Sequence, residues 1–158
     1  MKNTIILLLA LFCIKSYAQN QISNGNFQTG NLNSWQGFNN QVLTDDITSS
    51  FVGNINNGEG SLFQTLTLES GQNYTVAFNY RWVSGSNGYA MNVWAKDENG
   101  ASVFGDLTLN TNPDEWINGT FSFTVPSNVT LVRLVFYKTN GNRPLRIDDV
   151  LVVPQNST

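Results

Sequence analysis

The 158-residue chain contains no histidine, one cysteine, four prolines and only 12% charged residues. Each shortage removes a class of chemistry. Without histidine there is no imidazole base and no ordinary zinc site. The one cysteine, Cys13, lies in an N-terminal segment expected to be removed, so thiol nucleophiles and disulfides are excluded as well. An exported domain without disulfides must be held by a sizeable hydrophobic core. The long apolar run from Ile5 to Ile14 falls well short of the ~20 residues that span a bilayer. With Lys2 before it and Ser16-Tyr17-Ala18 after it, the run reads as a secretory signal peptide over residues 1–18, cleaved after Ala18. A lipid anchor on Cys13 is disfavoured, because Phe12 stands where such anchors carry a small residue. The expected location is secreted, periplasmic or cell-surface.

Losing Lys2 and Lys15 with the leader leaves 6 basic residues against 11 acidic ones and moves the net charge from −3 to −5. Nucleic acid and anionic membranes are disfavoured as partners. No Pro-, Gly- or Ser-rich linker divides residues 19–158, which read as a single domain. What is plentiful is aromatic side chains, 12% of the chain, and asparagine. Many of the Asn and Gly residues serve turns, and Asn-x-Ser/Thr sequons begin at Asn73, Asn118, Asn128 and Asn156. Low charge with amides and rings suits a neutral polar partner.

Helical periodicity is nearly absent. Instead, period-two alternation recurs between clusters of Gly, Asn, Asp and Pro, predicting an all-β fold. Strands are expected at 41–48, 62–69, 74–83, 89–96, 119–125, 131–138 and 145–153, with a short pairing near 22–26. Their spacing predicts an antiparallel β-sandwich. Alternation then assigns faces. In 74–83, Tyr74, Val76, Phe78, Tyr80 and Trp82 read as core, and Thr75, Ala77, Asn79, Arg81 and Val83 as exposed. In the next strand Met91 and Val93 point inward, so Asn92, Trp94 and Lys96 point outward. Val132, Leu134 and Phe136 leave Arg133, Val135 and Tyr137 outside, and core Phe121 and Phe123 leave Thr120, Ser122 and Thr124 outside.

The non-core faces thus collect Asn79, Arg81, Asn92, Trp94, Ser122, Arg133 and Tyr137. Rings, amides and guanidinium groups are what sugar recognition needs: a pyranose has an apolar C–H face that stacks on an aromatic plane and a rim of hydroxyls for paired hydrogen bonds. Trp94 and Tyr137 would stack, with Asn79, Arg81, Asn92 and Arg133 as hydrogen-bonding partners. Phe38 and Tyr89 would close the ends. Arg81 and Arg133 leave room for a uronic-acid polymer. The competing structural reading has Trp94 and Tyr137 covering a sheet edge or packing under a loop.

Five segments resemble, in order, carbohydrate-binding modules of the group containing families four, nine and twenty-two. They are Asn24-Gly25-Asn26-Phe27-Gln28-Thr29-Gly30 with Leu32-Asn33-Ser34-Trp35; residues 64–68; Gly71-Gln72-Asn73-Tyr74-Thr75-Val76; Glu115-Trp116 leading to Phe121-Ser122-Phe123-Thr124-Val125-Pro126; and Leu145-Arg146-Ile147-Asp148-Asp149-Val150. The resemblance covers residues 22–153. It implies a galactose-binding-domain-like jelly roll, often attached to a polysaccharide-degrading enzyme, that binds glucans or xylans on a concave sheet face. Trp35 and Trp116 match positions that look structural in that group. The resemblance also implies a structural calcium ion, with Asn26 giving a backbone carbonyl, Gln28 at the position of a Glu, and Asp148 or Asp149 from the last strand. The amide of Gln28 brings no charge, which weakens such a site or calls on another acid such as Glu59.

Two other classes compete with a polysaccharide or oligosaccharide binder. A glycoside hydrolase needs two carboxyl groups ~5–10 Å apart. The acids available are Asp45-Asp46, Glu59, Asp97-Glu98, Asp106, Asp114-Glu115 and Asp148-Asp149, most of them adjacent pairs in turn sequence. A structural or adhesive domain would show scattered Thr and Ser on its open face instead of rings beside amides. The expectation is a non-enzymatic binder.

Overall fold

The fold, a computed structural model, describes residues 19–83, 90–110 and 114–155; the expected leader and Tyr89 lie outside them. The described strands are β1 (Gln36–Phe38), β2 (Asn40–Thr44), β3 (Phe51–Ile55), β4 (Gly60–Thr67), β5 (Asn73–Trp82), β6 (Met91–Asp97), β7 (Val103–Leu109), β8 (Ile117–Thr124), β9 (Leu131–Lys138) and β10 (Leu145–Pro154). They form two antiparallel five-stranded sheets, β1-β4-β9-β6-β7 and β2-β3-β10-β5-β8. This is the expected all-β jelly-roll sandwich.

Alternation put the right residues inside. Val76, Phe78, Trp82, Met91, Val93, Val132, Phe136, Ile147 and Val152 are fully buried between the sheets. The aromatic part of the core is continuous: Phe136 meets Phe78 edge-on at 5.0 Å and Trp35 at 6.1 Å, and Trp35 stacks on Phe27 at 5.3 Å. The Trp35 indole donates to the Asn24 carbonyl, so its N–H is satisfied where it is buried.

Three expectations need correction. Residues 41–48 are not one strand, because β2 ends at Thr44 and the Asp45 carboxylate captures the N–H groups of Ile47 and Thr48 in a turn. Residues 22–26 form no strand but lie beside β10 through Gln21 N–H to Val152 O and Val150 N–H to Gly25 O. Strands β1, β3 and β7 had no counterpart in the alternation: β1 is only three residues long, and β3 and β7 each carry a glycine at an inward position. A Cβ on Gly53 would stand 2.5 Å from the Phe27 ring, and one on Gly105 2.5 Å from Phe123. Each glycine makes room for a neighbouring ring.

Parity also buries a charge. Lys138 follows Phe136 on the inner side of β9 and is 0% exposed. Its ammonium donates to the carbonyls of Gly58 and Gly141 and sits 5.9 Å from the Trp82 ring, and burial pulls its pKa down.

Candidate binding face

The outer side of the sheet β1-β4-β9-β6-β7 is built as ranks of side chains that cross the strands. Register places Phe38, Ser61, Tyr137, Asn92 and Thr108 in one rank. The next holds Gln36, Phe63, Val135, Trp94 and Asp106. A third holds Thr65, Arg133 and Lys96. Ranks are separated by two residues along each strand, about 7 Å. The middle rank is therefore an apolar bar, Phe63-Val135-Trp94, with polar residues on either side.

Trp94 and Tyr137 stack on one another, with ring centroids 5.3 Å apart and planes inclined by 22°. Both are half-buried, so each keeps part of its ring open to water. Tyr137 donates its hydroxyl to Glu59 Oε1 at 2.6 Å, a bond that raises its pKa above the usual tyrosine range, with burial adding to the effect. Asn92 accepts from Thr108 Oγ1 at 2.9 Å, so its N–H₂ is the group left to offer. Lys96 Nζ lies 5.1 Å from the Trp94 ring centre, and the Arg133 guanidinium lies 4.6 Å from that of Phe63.

The predicted site is thus brought together only in part. Asn92, Trp94, Arg133 and Tyr137 share this face, whereas Asn79 and Arg81 lie on β5 in the opposite sheet, as does Ser122 on β8. Arg81 is also not exposed. It is 2% accessible and donates to Asp45 Oδ1 through Nε at 3.1 Å and Nη2 at 2.5 Å, and to Asp46. Its guanidinium lies 5.7 Å from the Trp116 ring, and the Trp116 indole donates to Asp45. Burial by itself would raise the Asp45 carboxyl, but hydrogen bonds from Thr48, Arg81 and Ile47 and the Arg81 charge outweigh it and hold the pKa at about 2. Sequence parity gave Arg81 the right direction, but the 45–50 turn that covers it comes from another part of the chain.

Sequence reasoning missed Phe63, Thr65, Gln36 and Thr108, and it named Glu59 and Asp106 only as candidate acids away from the polar face, whereas Asp106 stands opposite Trp94 and Glu59 accepts from Tyr137. Phe63 was legible, since Leu62, Gln64 and Leu66 point inward and leave Phe63 outward. The others required pairings across the sheet. Phe38 is 50% exposed at the β1 edge of this face.

The residues proposed for calcium lie at the start of the described chain and the bulge of β10. Asn26 and Asp149 line one depression of about 330 Å³. The Gln28 amide donates to the carbonyls of Asn26 at 3.0 Å and Phe51 at 3.3 Å, drawing two oxygens toward one point. Asp149 accepts from Asn79 at 3.1 Å, and Asp148 accepts the Asp149 N–H. Burial, more than the neighbouring Asp149 and Asp45 charges, pushes the Asp148 pKa up to about 7. No cluster of three or more acidic, Cys or His ligands occurs among the described residues.

Comparison with known proteins agrees with this architecture. The chain is 30% identical to exoglucanase XynX of Acetivibrio thermocellus and 27% identical to endo-1,4-beta-xylanase A of Thermoanaerobacterium saccharolyticum, with 87% of its length matched in both cases. It spans only 14% and 13% of those proteins. Among solved structures it is similar to TmCBM61 in complex with beta-1,4-galactotriose, with a TM-score of 0.68, 16% identity, and coverage of 87% of this chain and 100% of that one. The model of the family CBM_4_9, described as a carbohydrate binding domain, matches residues 19–143. With most of its length accounted for by that match, the chain belongs to this carbohydrate-binding domain family.

Proposed function

We propose that the outer face of β1-β4-β9-β6-β7 binds a glucan- or xylan-type polysaccharide without cleaving it. The observation that carries this is the stacked Trp94–Tyr137 pair on an open sheet face, with the Asn92 amide in the rank beside Trp94 and the Arg133 guanidinium in the rank beyond it. Two half-buried rings provide a sugar's apolar face with a platform, and the flanking donors select its hydroxyls. The named substrates of the matched exoglucanase and xylanase, and the galactotriose bound by the structural relative, support a β-linked glycan.

A non-catalytic role is supported by the placement of the acids on this face. Glu59 precedes β4 and Asp106 lies on β7, with β9 and β6 between them. Three strand spacings set their backbones about 14 Å apart, and Glu59 is already engaged by the Tyr137 hydroxyl instead of standing opposite a second acid. The natural context is an exported module that holds a polysaccharide-degrading enzyme near its substrate. Affinity electrophoresis across soluble glucans and xylans tests the reading: the parent is retarded by at least one polymer and Trp94→Ala is not. Equal retardation of both proteins removes the site.

The corner of Asn26, Gln28 and Asp149 takes calcium in this reading, weakly. Without the ion the Gln28 N–H₂ ties the Asn26 and Phe51 carbonyls together. An ion there would be held by the Gln28 amide oxygen, those carbonyls and an aspartate carboxylate, and would supply the positive charge that the Gln28 N–H₂ otherwise provides to the carbonyls. One or two formal charges place such a site in the weak, extracellular range of affinity.

A further inference from the structure

We propose that this face selects a polysaccharide carrying hexuronate carboxylates, read by Lys96 and Arg133. This deepens the proposed polysaccharide-binding function and rests on it. Lys96 and Arg133 are directly opposite each other on β6 and β9. Like charges facing across a strand pair repel, so the arrangement costs stability. Among the described residues neither cation forms an ion pair; the pairs present are made by Arg81 and Arg143 on other parts of the molecule.

The neighbouring carboxylates are otherwise placed or engaged. Asp106 stands opposite Trp94, one rank away. Asp97 follows Lys96 but spends its oxygens on the N–H groups of Ala101 and Ser102, and Glu59 accepts from Tyr137 two ranks off. Glu98 lies in the 98–100 turn and enters no ion pair with either cation.

Rings hold these cations without neutralising them. Lys96 rests on Trp94 and Arg133 on Phe63. The Nε of Arg133 is buried and has no hydrogen-bond partner. The Nη groups of Arg133 and the Lys96 ammonium are not among the buried donors, and from the rank next to the aromatic bar they match a carboxylate carried by a bound sugar. The protein's overall charge is negative, so diffuse attraction to a polyanion does not account for such a preference.

The test compares 4-O-methylglucuronoxylan with the same polymer after chemical reduction of its carboxyl groups, so that the backbone is held constant. Binding is measured by calorimetry at 50 mM and 500 mM NaCl. The parent is expected to bind the acidic form at least about tenfold more tightly at low salt, as one charge-assisted contact supplies. That gap narrows at high salt. Lys96→Met with Arg133→Met keeps the apolar stems and closes the gap between the two polymers measured on the same variant, with a melting midpoint no lower than the parent's showing that the fold is intact. Equal affinity of the parent for both forms overturns carboxylate selection while leaving the polysaccharide face standing. A gap that persists in the double variant shows the carboxylate to be read elsewhere and overturns the proposal too. Failure of the parent to bind either polymer, or any glucan or xylan tried beside them, rejects the polysaccharide reading and this inference with it.

Discussion

The two outer faces of the sandwich use the same side-chain types to opposite ends. On β2-β3-β10-β5-β8, Arg81 and Trp116 gather around Asp45, and the turn that follows Asp45 closes over them. Arg146, opposite Arg81 on β10, has its Nε and Nη1 buried beside this cluster. On β1-β4-β9-β6-β7, Arg133, Lys96 and Trp94 meet rings instead of acids, and among the described residues the loop carboxylate that reaches this face, Glu59, goes to Tyr137 and pairs with neither cation. A guanidinium that finds its carboxylate inside the protein is a structural part. One that finds only a ring keeps its hydrogen-bonding capacity for something else.

Removing Arg81 should have the largest effect on that contrast. Arg81→Ala leaves the buried Asp45 unpaired and should cost about 3–5 kcal/mol in denaturant unfolding, while glycan affinity of the folded protein changes by less than about twofold, being within ordinary scatter for a distant site. Trp94→Ala should do the reverse: polysaccharide binding falls by about 30-fold or more, roughly 2 kcal/mol, with the unfolding midpoint little changed. If both substitutions act alike, the two faces are not separate in function.

The acid dependence of stability sharpens the same comparison. Asp45 has a pKa of about 2 in the fold, below its unfolded value near 4, so the stability it contributes is fully present above about pH 4 and is lost as the pH falls toward 2. Across that range the parent should lose about 2 kcal/mol more than Asp45→Asn, as followed by denaturant midpoints, because the raised Asp148 carboxyl shifts stability the other way by the same amount in both proteins. Glycan binding by whatever fraction remains folded should not follow it. The smallest effect is expected at the Gln28 corner. Gln28→Glu loses the N–H₂ that ties two carbonyls and should melt lower in chelator, by about 1 kcal/mol, then gain more than the parent from millimolar calcium. An identical response of both proteins to calcium would place any ion elsewhere.

Much of this was legible from residues alone. Period-two alternation identified the core of β5, β6 and β9 and turned Asn92, Trp94, Arg133 and Tyr137 outward, because the pleat makes parity a geometric necessity wherever a strand is regular. It failed at β3 and β7, whose central glycines resemble strand breakers until the rings of Phe27 and Phe123 are seen against them. It also failed for Asn79 and Arg81, since parity reports only inside or outside. It does not say which of two sheets a strand joins, nor whether a turn lies over its outer side. Lys138 shows the same limit from within, obeying parity into the core where two carbonyls and the Trp82 ring await its ammonium.

Local order therefore determined that this chain is an all-β sandwich with rings turned to water, since strand faces depend on neighbours one and two residues away. Tertiary structure decided which of those rings and cations share a face and which are consumed by carboxylates. Those relations join residues far apart in the chain, such as Asp45 with Arg81 or Trp94 with Tyr137, and only strand order and register bring them within reach.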